Sequence, residues 1–392
     1  MYTVDGLYYL DRKPIVFDID SDSGRIAAMR RPDKPGPLAS RDLYIAPGLF
    51  DNQVNGYCGV SFIEERLSAE RVEAATRELW RSGVTRYLPT LITSELGLLE
   101  RNFRVLGEAV ERNPVLSLSI PGFHLEGPYI SPEDGYRGAH LARWVRPPDL
   151  SEFLALQRAS GDRILQLSLA PELPGALELI RGCRRRGIVV GLAHHHASAA
   201  AISASVDAGA AIAVHLGSGL ANTIHRHDNV YWPQLAEERL KISMIADGFH
   251  LRPEQVAVFF RVKGVEGIVL TSDVINLAGL PAGEYTIEGR EVVLSSDGQI
   301  TYPAEGVLAG AARPLSAGIG NVMRFTGCTL ADAVHMASRT PAQLYGLGKH
   351  GGIEPGERAD LIVFGLEKGE MRVGRTILAG EVVYEEESLA SA

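Results

Sequence analysis

Cysteine is scarce in this chain, and the three cysteines stand far apart. Cys58, Cys183 and Cys328 form no CxxC pair, so their spacing indicates neither a thiolate metal site nor a disulfide framework. No apolar run approaches the ~18 residues that a membrane-spanning helix needs. The first residues lack a basic segment followed by an apolar run, so no signal peptide is expected. We therefore expect a soluble, cytoplasmic protein with no membrane partner.

Blocks of positive charge are also missing. The 392 residues carry a formal net charge of −9, which argues against a nucleic-acid partner. Apolar residues make up 45% of the chain and charged residues 22%, as in an ordinary globular enzyme. The length suits one large domain with a smaller module attached. If an acidic protein of this kind binds an anionic substrate, it must carry a local cationic pocket.

Short strand patterns, separated by Gly, Pro and Asp, fill residues 1–46 and 356–392. Between these ends, helical patterns alternate with β-branched runs. The clearest helices are predicted over residues 69–82, 174–186, 199–208 and 253–263. Each stops at a Gly, which is typical of a helix C-cap. This alternation predicts an α/β fold in which a TIM-like (β/α)8 barrel over residues 47–355 carries a small β-sandwich domain formed by both termini.

Four apolar runs of the predicted barrel lead into a residue that can bind a metal or carry a proton, namely Glu126, His194, His215 and Asp273. The carboxyl ends of barrel strands meet at one mouth, so we expect these side chains to converge. Two imidazoles and one carboxylate, with a position left open, are the ligands of a catalytic zinc site. Such a site lowers the pKa of a bound water and polarises a carbonyl. Asp273 would then be the base for that water and the acid for a leaving amine.

Each of these residues also has a simpler interpretation. Glu126 would be a buried carboxylate paired with an arginine, and a lone histidine at a strand end is more often a core residue than a ligand. Asp273 would be a helix N-cap. Their occurrence together favours the metal site over these alternatives. Four further histidines are left without a role: His195 and His196, which are expected to be loop residues, and His225 and His227.

Several longer motifs extend from about residue 46 to the C-terminus. They are PGLFDNQVNG at 47–56, HLEGPYISP at 124–132, GAH at 138–140, IADGFH at 245–250, LAG at 308–310 and GIEPGERADL at 352–361. On these motifs the chain resembles the N-acetylglucosamine-6-phosphate deacetylase family of the amidohydrolase superfamily. The resemblance implies a barrel flanked by a β-sandwich, usually in a homodimer. It also implies that Glu126, His194 and His215 hold the metal and that Asp273 is the acid and base.

The resemblance also bears on the number of metal ions. Many relatives place a His-x-His pair on the first barrel strand, where this chain has Gln53 and Asn55. Amide side chains are weak ligands for a divalent cation, so we expect one ion per chain. Zn²⁺ is the expected ion, with Fe²⁺, Mn²⁺, Co²⁺ and Ni²⁺ as alternatives.

The substrate pocket is implied by the resemblance alone. Its expected residues are Ala139, His140, Ser218, Gly219, Arg226, Asp247, His250, Leu308, Ala309 and Gly310. Arg226 stands at the spacing from His215 at which the family has its phosphate-binding arginine, often contributed by the neighbouring subunit, and a guanidinium suits a phosphate. The alternative is a solvated loop cation. Ser218 replaces the asparagine that holds the sugar in the family, so the cradle of the substrate is altered.

The predicted function is therefore metal-dependent hydrolysis of the acetamide of an N-acetyl amino sugar, with N-acetylglucosamine 6-phosphate as the expected substrate. Acetate and the amino sugar would be the products. The altered cradle leaves open another N-acyl amine, a cyclic amide, a base that is deaminated, or an unphosphorylated or epimeric N-acetylhexosamine. A non-catalytic binding protein is a third alternative. The sequence leaves open the physiological metal, the sugar epimer and the subunit that Arg226 serves.

Overall fold

The computed structural model describes residues 1–347 and 353–390. Gly352 of the last motif and the final two residues of the predicted 356–392 segment lie outside them. The described strands are β1 (Tyr2–Tyr8), β2 (Pro14–Asp20), β3 (Arg25–Arg30), β4 (Tyr44–Pro47), β5 (Leu49–Val54), β6 (Gly56–Tyr57), β7 (Val60–Ser61), β8 (Val84–Ile92), β9 (Phe123–Glu126), β10 (Ile164–Leu169), β11 (Val189–Leu192), β12 (Ala210–Ala213), β13 (Lys241–Ile245), β14 (Ile268–Thr271), β15 (Gly283–Ile287), β16 (Arg290–Leu294), β17 (Ile300–Tyr302), β18 (Val307–Leu308), β19 (Leu361–Glu367), β20 (Glu370–Leu378) and β21 (Glu381–Glu385).

The described helices, in chain order, are α1 (Ala69–Trp80), α2 (Leu96–Arg112), α3 (Pro114–Ser119), α4 (Leu150–Ala159), α5 (Ala176–Arg184), α6 (Ala199–Ala208), α7 (Tyr231–Ala236), α8 (Pro253–Gly267), α9 (Leu315–Thr326), α10 (Leu330–Met336), α11 (Arg339–Leu344) and α12 (Glu387–Ala390). Within the described residues, none of these helices combines the length and apolar character that crossing a bilayer requires.

The two ends of the chain meet in one seven-stranded sheet, in the order β21-β20-β19-β4-β1-β2-β3. Strand β19 joins the halves by pairing antiparallel with β4, which places Val363 opposite Ile45. Strand β2 shows why one face packs inward, because its buried and half-buried residues alternate along its length as the pleat requires. The prediction that both termini build one β-domain is confirmed. The predicted boundaries at 46/47 and 355/356 stay predictions.

Eight strands form the barrel wall, in the parallel order β14-β13-β12-β11-β10-β9-β8-β5. Strand β8 is buried along almost its whole length, as expected for a parallel strand covered by helices. The ring closes between its first and last strands, where Val54 bridges Val274. Two backbone hydrogen bonds support that closure, Asp273 N to Gln53 O at 3.1 Å and Asn55 N to Val274 O at 2.8 Å. The predicted (β/α)8 barrel is confirmed.

One of the four predicted helices has its predicted bounds, and the other three differ. Helices α1 and α5 end at Trp80 and Arg184, each two residues before the predicted end. Helix α6 spans the predicted residues and stops at Gly209. Helix α5 begins two residues later than predicted, at Ala176, because Gly175 has a left-handed backbone with φ 89°. Helix α8 breaks at Gly264, the predicted stop, but the chain makes one further turn to Gly267. The position of Gly264 therefore predicted the break in α8 correctly, but not the residue at which the helix ends.

A small antiparallel sheet of four strands, β15 to β18, lies between the last barrel strand and α9. The sequence did not predict this sheet, because residues 47–355 were expected to form the barrel throughout. This sheet has its own small core, formed by Leu277, Val292, Leu294, Ile300, Tyr302 and Ala309. Several of its residues line the cavity at the barrel mouth, so it forms a wall of the candidate site.

A buried ion pair ties the barrel to the terminal sheet. Arg86 of β8 and Arg358 each donate to Asp360 at 2.5 Å, and the Arg86 and Asp360 side chains are only 8% and 9% exposed. Burial lowers the pKa of Arg86 to about 10 although Asp360 opposes the shift. Asp360 also accepts the backbone N–H of Ala379 at 2.9 Å. One carboxylate thus satisfies donors from both parts of the fold.

Replacing Asp360 with Ala is expected to destabilise the protein strongly. The change removes the carboxylate that Arg86 and Arg358 share, and breaking a buried pair in this way costs about 3–5 kcal/mol. Urea unfolding monitored by circular dichroism measures the loss. Asp18→Ala is the matched control, because its partner Arg30 is 54% exposed and exposed pairs contribute little. Equal losses in the two variants would contradict the proposed importance of burial.

Candidate active site

The four predicted chemical residues meet at the carboxyl end of the barrel. Glu126 is the last residue of β9, and His194, His215 and Asp273 each stand two residues beyond the end of their strand. All four line one cavity of about 330 Å³. The three that follow strand ends have left-handed backbones, with φ of 50°, 31° and 55°. Such φ values are uncommon outside glycine and concentrate at functional sites.

Glu126 lies at the centre of an imidazole cluster. Its Oε1 is 2.7 Å from His215 Nε2 and 3.5 Å from His194 Nε2. His140 adds a third imidazole, with its Nε2 3.2 Å from His194 Nε2. Possible ligand atoms of Glu126, His140 and His194 lie within 4.8 Å of one another. Because the neighbours of Glu126 are imidazoles, its interpretation as an arginine-paired carboxylate is wrong.

The chemistry of this donor set fits a divalent cation. Burial opposes ionisation, yet the neighbouring imidazoles of His194 and His215 hold the pKa of Glu126 well below its usual value, so its ligand form dominates. His194 Nδ1 lies 3.0 Å from the carbonyl oxygen of Tyr136. That carbonyl can only accept, so Nδ1 carries the proton and Nε2 keeps a lone pair for a metal. Carboxylate and imidazole ligands together suit Zn²⁺ and neighbouring transition metals.

Two glycines leave room for the His194 ring. A Cβ on Gly138 would lie 2.9 Å from His194 Cε1, and one on Gly219 would lie 2.9 Å from Nδ1. Gly138 also has φ +60°, which a side chain would strain. Gly219, predicted as a substrate residue, therefore packs against a candidate ligand and is not among the residues that line the main cavity.

Asp273 is held by the first barrel strand. Gln53 Nε2 and Asn55 Nδ2 donate to its Oδ1 at 3.0 and 2.6 Å. Burial, and then the negative charge of Glu126, raise the pKa of Asp273. The next residue, Val274, bridges strand β5 and Ala311 and begins no helix. The interpretation of Asp273 as a helix N-cap is therefore wrong.

The structure brings most of the predicted substrate residues to the same cavity. Those that line it are Ala139, His140, Ser218, His250, Leu308, Ala309 and Gly310. Asp247 stands behind His250, whose Nδ1 lies 2.7 Å from its carboxylate, so it orients that ring instead of facing the cavity. Burial, with a smaller effect from the charge of His194, lowers the pKa of His140 to about 3, which keeps its imidazole neutral.

Arg226 stands apart from the cavity, whereas Gly219 and Asp247, which likewise do not line it, contact residues of the candidate site. It is exposed and is not among the residues of the cavity wall. Its carbonyl accepts the indole N–H of Trp232 at 2.9 Å, and that tryptophan is itself 56% exposed. The segment from Arg226 to Trp232 therefore presents a cation and an aromatic ring outward.

Sequence reasoning missed a second arginine. Arg290 of β16 lines the cavity, lies 4.0 Å from the ring centroid of Tyr302 and donates to the carbonyl of Ala139 at 3.1 Å. It is paired with Glu288 and Glu305 at 3.4 and 3.3 Å. No sequence motif pointed to Arg290, because its place in the cavity wall depends on the small antiparallel sheet, which was not predicted.

The four histidines that were left without a role stand outside the cluster. His195 is buried, with its Nε2 3.3 Å from Gln234, and burial lowers its pKa to about 4. His196 lies 3.1 Å from Glu172. His225 and His227 are exposed. His195 therefore lies in the loop between β11 and α6, as predicted, and is buried there.

Comparison with known proteins shows what the chain is similar to. The amidohydrolase family profile matches residues 44–383. An N-acetylgalactosamine-6-phosphate deacetylase from Escherichia coli O157:H7 is 31% identical over 330 residues, which cover 84% of this chain and 85% of the relative. The human N-acetylglucosamine-6-phosphate deacetylase is 33% identical over 357 residues, covering 87% and 83%. The crystal structure of the Thermotoga maritima N-acetylglucosamine-6-phosphate deacetylase superposes with a TM-score of 0.86 at 27% identity, covering 98% of this chain and 100% of the other.

Proposed function

The chain belongs to the amidohydrolase family and, within it, to the N-acetylglucosamine-6-phosphate deacetylases, and from this premise we propose that it hydrolyses the acetamide of a 6-phosphorylated N-acetyl amino sugar. N-acetylglucosamine 6-phosphate is the leading substrate, and acetate and the amino sugar are the products. The observation that carries the proposal is the convergence of Glu126, His194 and His215 with Asp273 at one barrel mouth.

Glu126, His194 and His215 are the proposed ligands of a single divalent ion, with Zn²⁺ as the expected metal. When bound, such an ion polarises a carbonyl and lowers the pKa of a water molecule. Gln53 and Asn55 stand where a second metal would need stronger ligands, and both amides are engaged with Asp273. The contacts of the two amides therefore support one ion per chain.

Asp273 is the proposed proton carrier. Its carboxylate accepts a proton from the attacking water as the new C–O bond forms at the acetyl carbon. It then returns that proton to the sugar nitrogen as the C–N bond breaks. The raised pKa of Asp273 favours this exchange, because a carboxyl group whose pKa lies closer to neutral pH both accepts and releases protons readily.

The described wall of the cavity offers the phosphate little positive charge. Arg290 is the one arginine or lysine among the described residues of the cavity wall, and Glu288 and Glu305 already pair with it. We propose that the chain works as a cytoplasmic homodimer in which Arg226 of one copy meets the phosphate held by the other. Its exposure on an outward-facing loop supports this arrangement.

A panel of N-acetylhexosamines, with and without the 6-phosphate, tests the substrate. Arg226→Ala is expected to raise KM by about 10- to 100-fold for the phosphorylated sugars only, because a hydrogen bond to a charged group is lost. Steady-state release of acetate measures both constants. Arg104→Ala, an exposed arginine of α2, is the matched control. An equal change in KM for unphosphorylated sugars would contradict the phosphate role.

The same panel decides between the sugar epimers. Curated relatives of similar identity act, by their names, on N-acetylgalactosamine 6-phosphate and on N-acetylglucosamine 6-phosphate. Ser218, in place of the family's asparagine, is a cavity residue whose hydroxyl has no hydrogen-bond partner among the described residues. Because this change alters the residues expected to hold the sugar, both epimers should be tested. A preference above about tenfold in kcat/KM identifies the physiological one.

A further inference from the structure

Strand β5 and its extension present three polar side chains at alternate positions, Asp51, Gln53 and Asn55. Successive residues of a strand point to opposite faces, so alternate residues share one face. All three contact the segment Thr271 to Asp273 at the end of β14. The contacts join the two ends of the barrel wall across its closing seam.

Two of these residues hold the same carboxylate oxygen. Asp273 Oδ1 accepts Gln53 Nε2 at 3.0 Å and Asn55 Nδ2 at 2.6 Å. An ionised carboxylate only accepts hydrogen bonds, so each amide must turn its nitrogen toward it. No hydrogen bond from the described residues reaches Oδ2. An oxygen with two N–H donors is the weaker base, so the proton is carried on Oδ2.

The third residue fixes the backbone that carries Asp273. The buried Asp51 carboxylate accepts Thr271 Oγ1 at 3.1 Å and the Ser272 N–H at 3.1 Å, and Ser272 Oγ also donates to it. Asp273 itself donates its N–H to the Gln53 carbonyl at 3.1 Å. These bonds hold the residue in its left-handed conformation, φ 55°, which the chain would not adopt unaided.

We propose that Asp51, Gln53 and Asn55 are positioning residues for Asp273, and that the two amides select Oδ2 as the oxygen that moves the proton. This inference rests on the proposed function, because Asp273 is the proton carrier only in that reaction. It gives the amides of the first strand a role of their own: they orient the acid and base.

Asn55→Leu and Gln53→Leu test the proposal. Each removes a donor at similar side-chain volume, and each is expected to lower kcat by about 10- to 100-fold, because misplacing a reacting group by about 1 Å costs up to about 100-fold. KM and the bound metal per chain should stay near the parent values. In the Asp273→Asn background the same changes should cost nothing further, because residues that act through one group are not additive.

Asn52→Leu is the matched control. Asn52 is a fully buried amide of the same strand, but its Nδ2 donates to Tyr345 at 3.0 Å and does not touch Asp273. It should lower the melting temperature and leave kcat within about twofold. An Asn55→Leu variant that keeps full kcat, loses its metal, or loses the same factor again in the Asp273→Asn background overturns the proposal.

Crystal structures of the variants separate this inference from the proposed function. Asn55→Leu should show the Asp273 carboxylate rotated away from its place in the parent enzyme, whatever substrate the enzyme takes. An unmoved carboxylate would overturn the positioning role. If the parent protein deacetylates no sugar of the panel, the proposed function fails, and the carboxylate position still tests the contacts.

Discussion

Asp273→Asn is expected to abolish turnover while the protein keeps its metal and its fold. The amide cannot accept the proton from water or return it to the leaving nitrogen, and loss of general acid and base catalysis costs about 10³-fold or more in kcat. Asp273 is not among the proposed ligands, so bound metal per chain should match the parent enzyme. Acetate release with metal analysis on the same sample measures both quantities.

The control for this variant is Asp134→Asn, a carboxylate whose side chain is 91% exposed. Its kcat should equal that of the parent. If Asp273→Asn retained turnover within tenfold of the parent, another group would have to carry the proton, and Asp273 would lose its proposed role. If it lost its metal, Asp273 would belong to the ligands instead.

Glu126→Gln is expected to remove the metal and, with it, activity at every substrate of the panel. Glu126 is the anionic member of the proposed ligand set, and its carboxylate meets both His215 and His194. A neutral amide is a much weaker ligand for a divalent ion. Bound metal should fall to a small fraction of one ion per chain, and kcat by about 10³-fold or more.

Metal analysis and the visible absorption of the Co²⁺-loaded protein measure this effect. Glu172→Gln is the matched control, because its largely buried carboxylate contacts His196 and stands outside the proposed ligand set. It should keep both metal and turnover. A Glu126→Gln protein that binds Co²⁺ with the parent spectrum would show that the ion is held elsewhere.

The site could be read from the sequence because barrel geometry is simple. Parallel strands place their carboxyl ends at one mouth, so Glu126, His194, His215 and Asp273 could be brought together from their places after apolar runs. The small antiparallel sheet could not be read in this way. Its strands are short, and nothing in their pattern shows that they fold over the mouth and bring Arg290 to the cavity.

The contacts of Asp273 likewise could not be predicted from the sequence. Gln53 and Asn55 were recognised as replacements for metal-binding histidines, but their partner is more than 200 positions away along the chain. That contact exists because the first and last strands of a closed barrel are neighbours. His195 lies in a loop, as predicted, but its burial against Gln234 depends on packing between remote segments and could not be predicted.

By itself, the sequence determined the alternation of helices and strands in the barrel, the β-domain built from both termini, and the residue types that can hold a metal and move a proton. These features follow from local periodicity, from glycines at helix ends and from the residue types that follow each strand. Each of these signals can be recognised within one segment of the chain. Only the tertiary structure decided which oxygen of Asp273 is held, that Arg290 enters the cavity, and that Arg226 stays outside it. Those outcomes depend on distances between segments remote in sequence, which are set when the barrel closes and the helices and the second sheet pack against it.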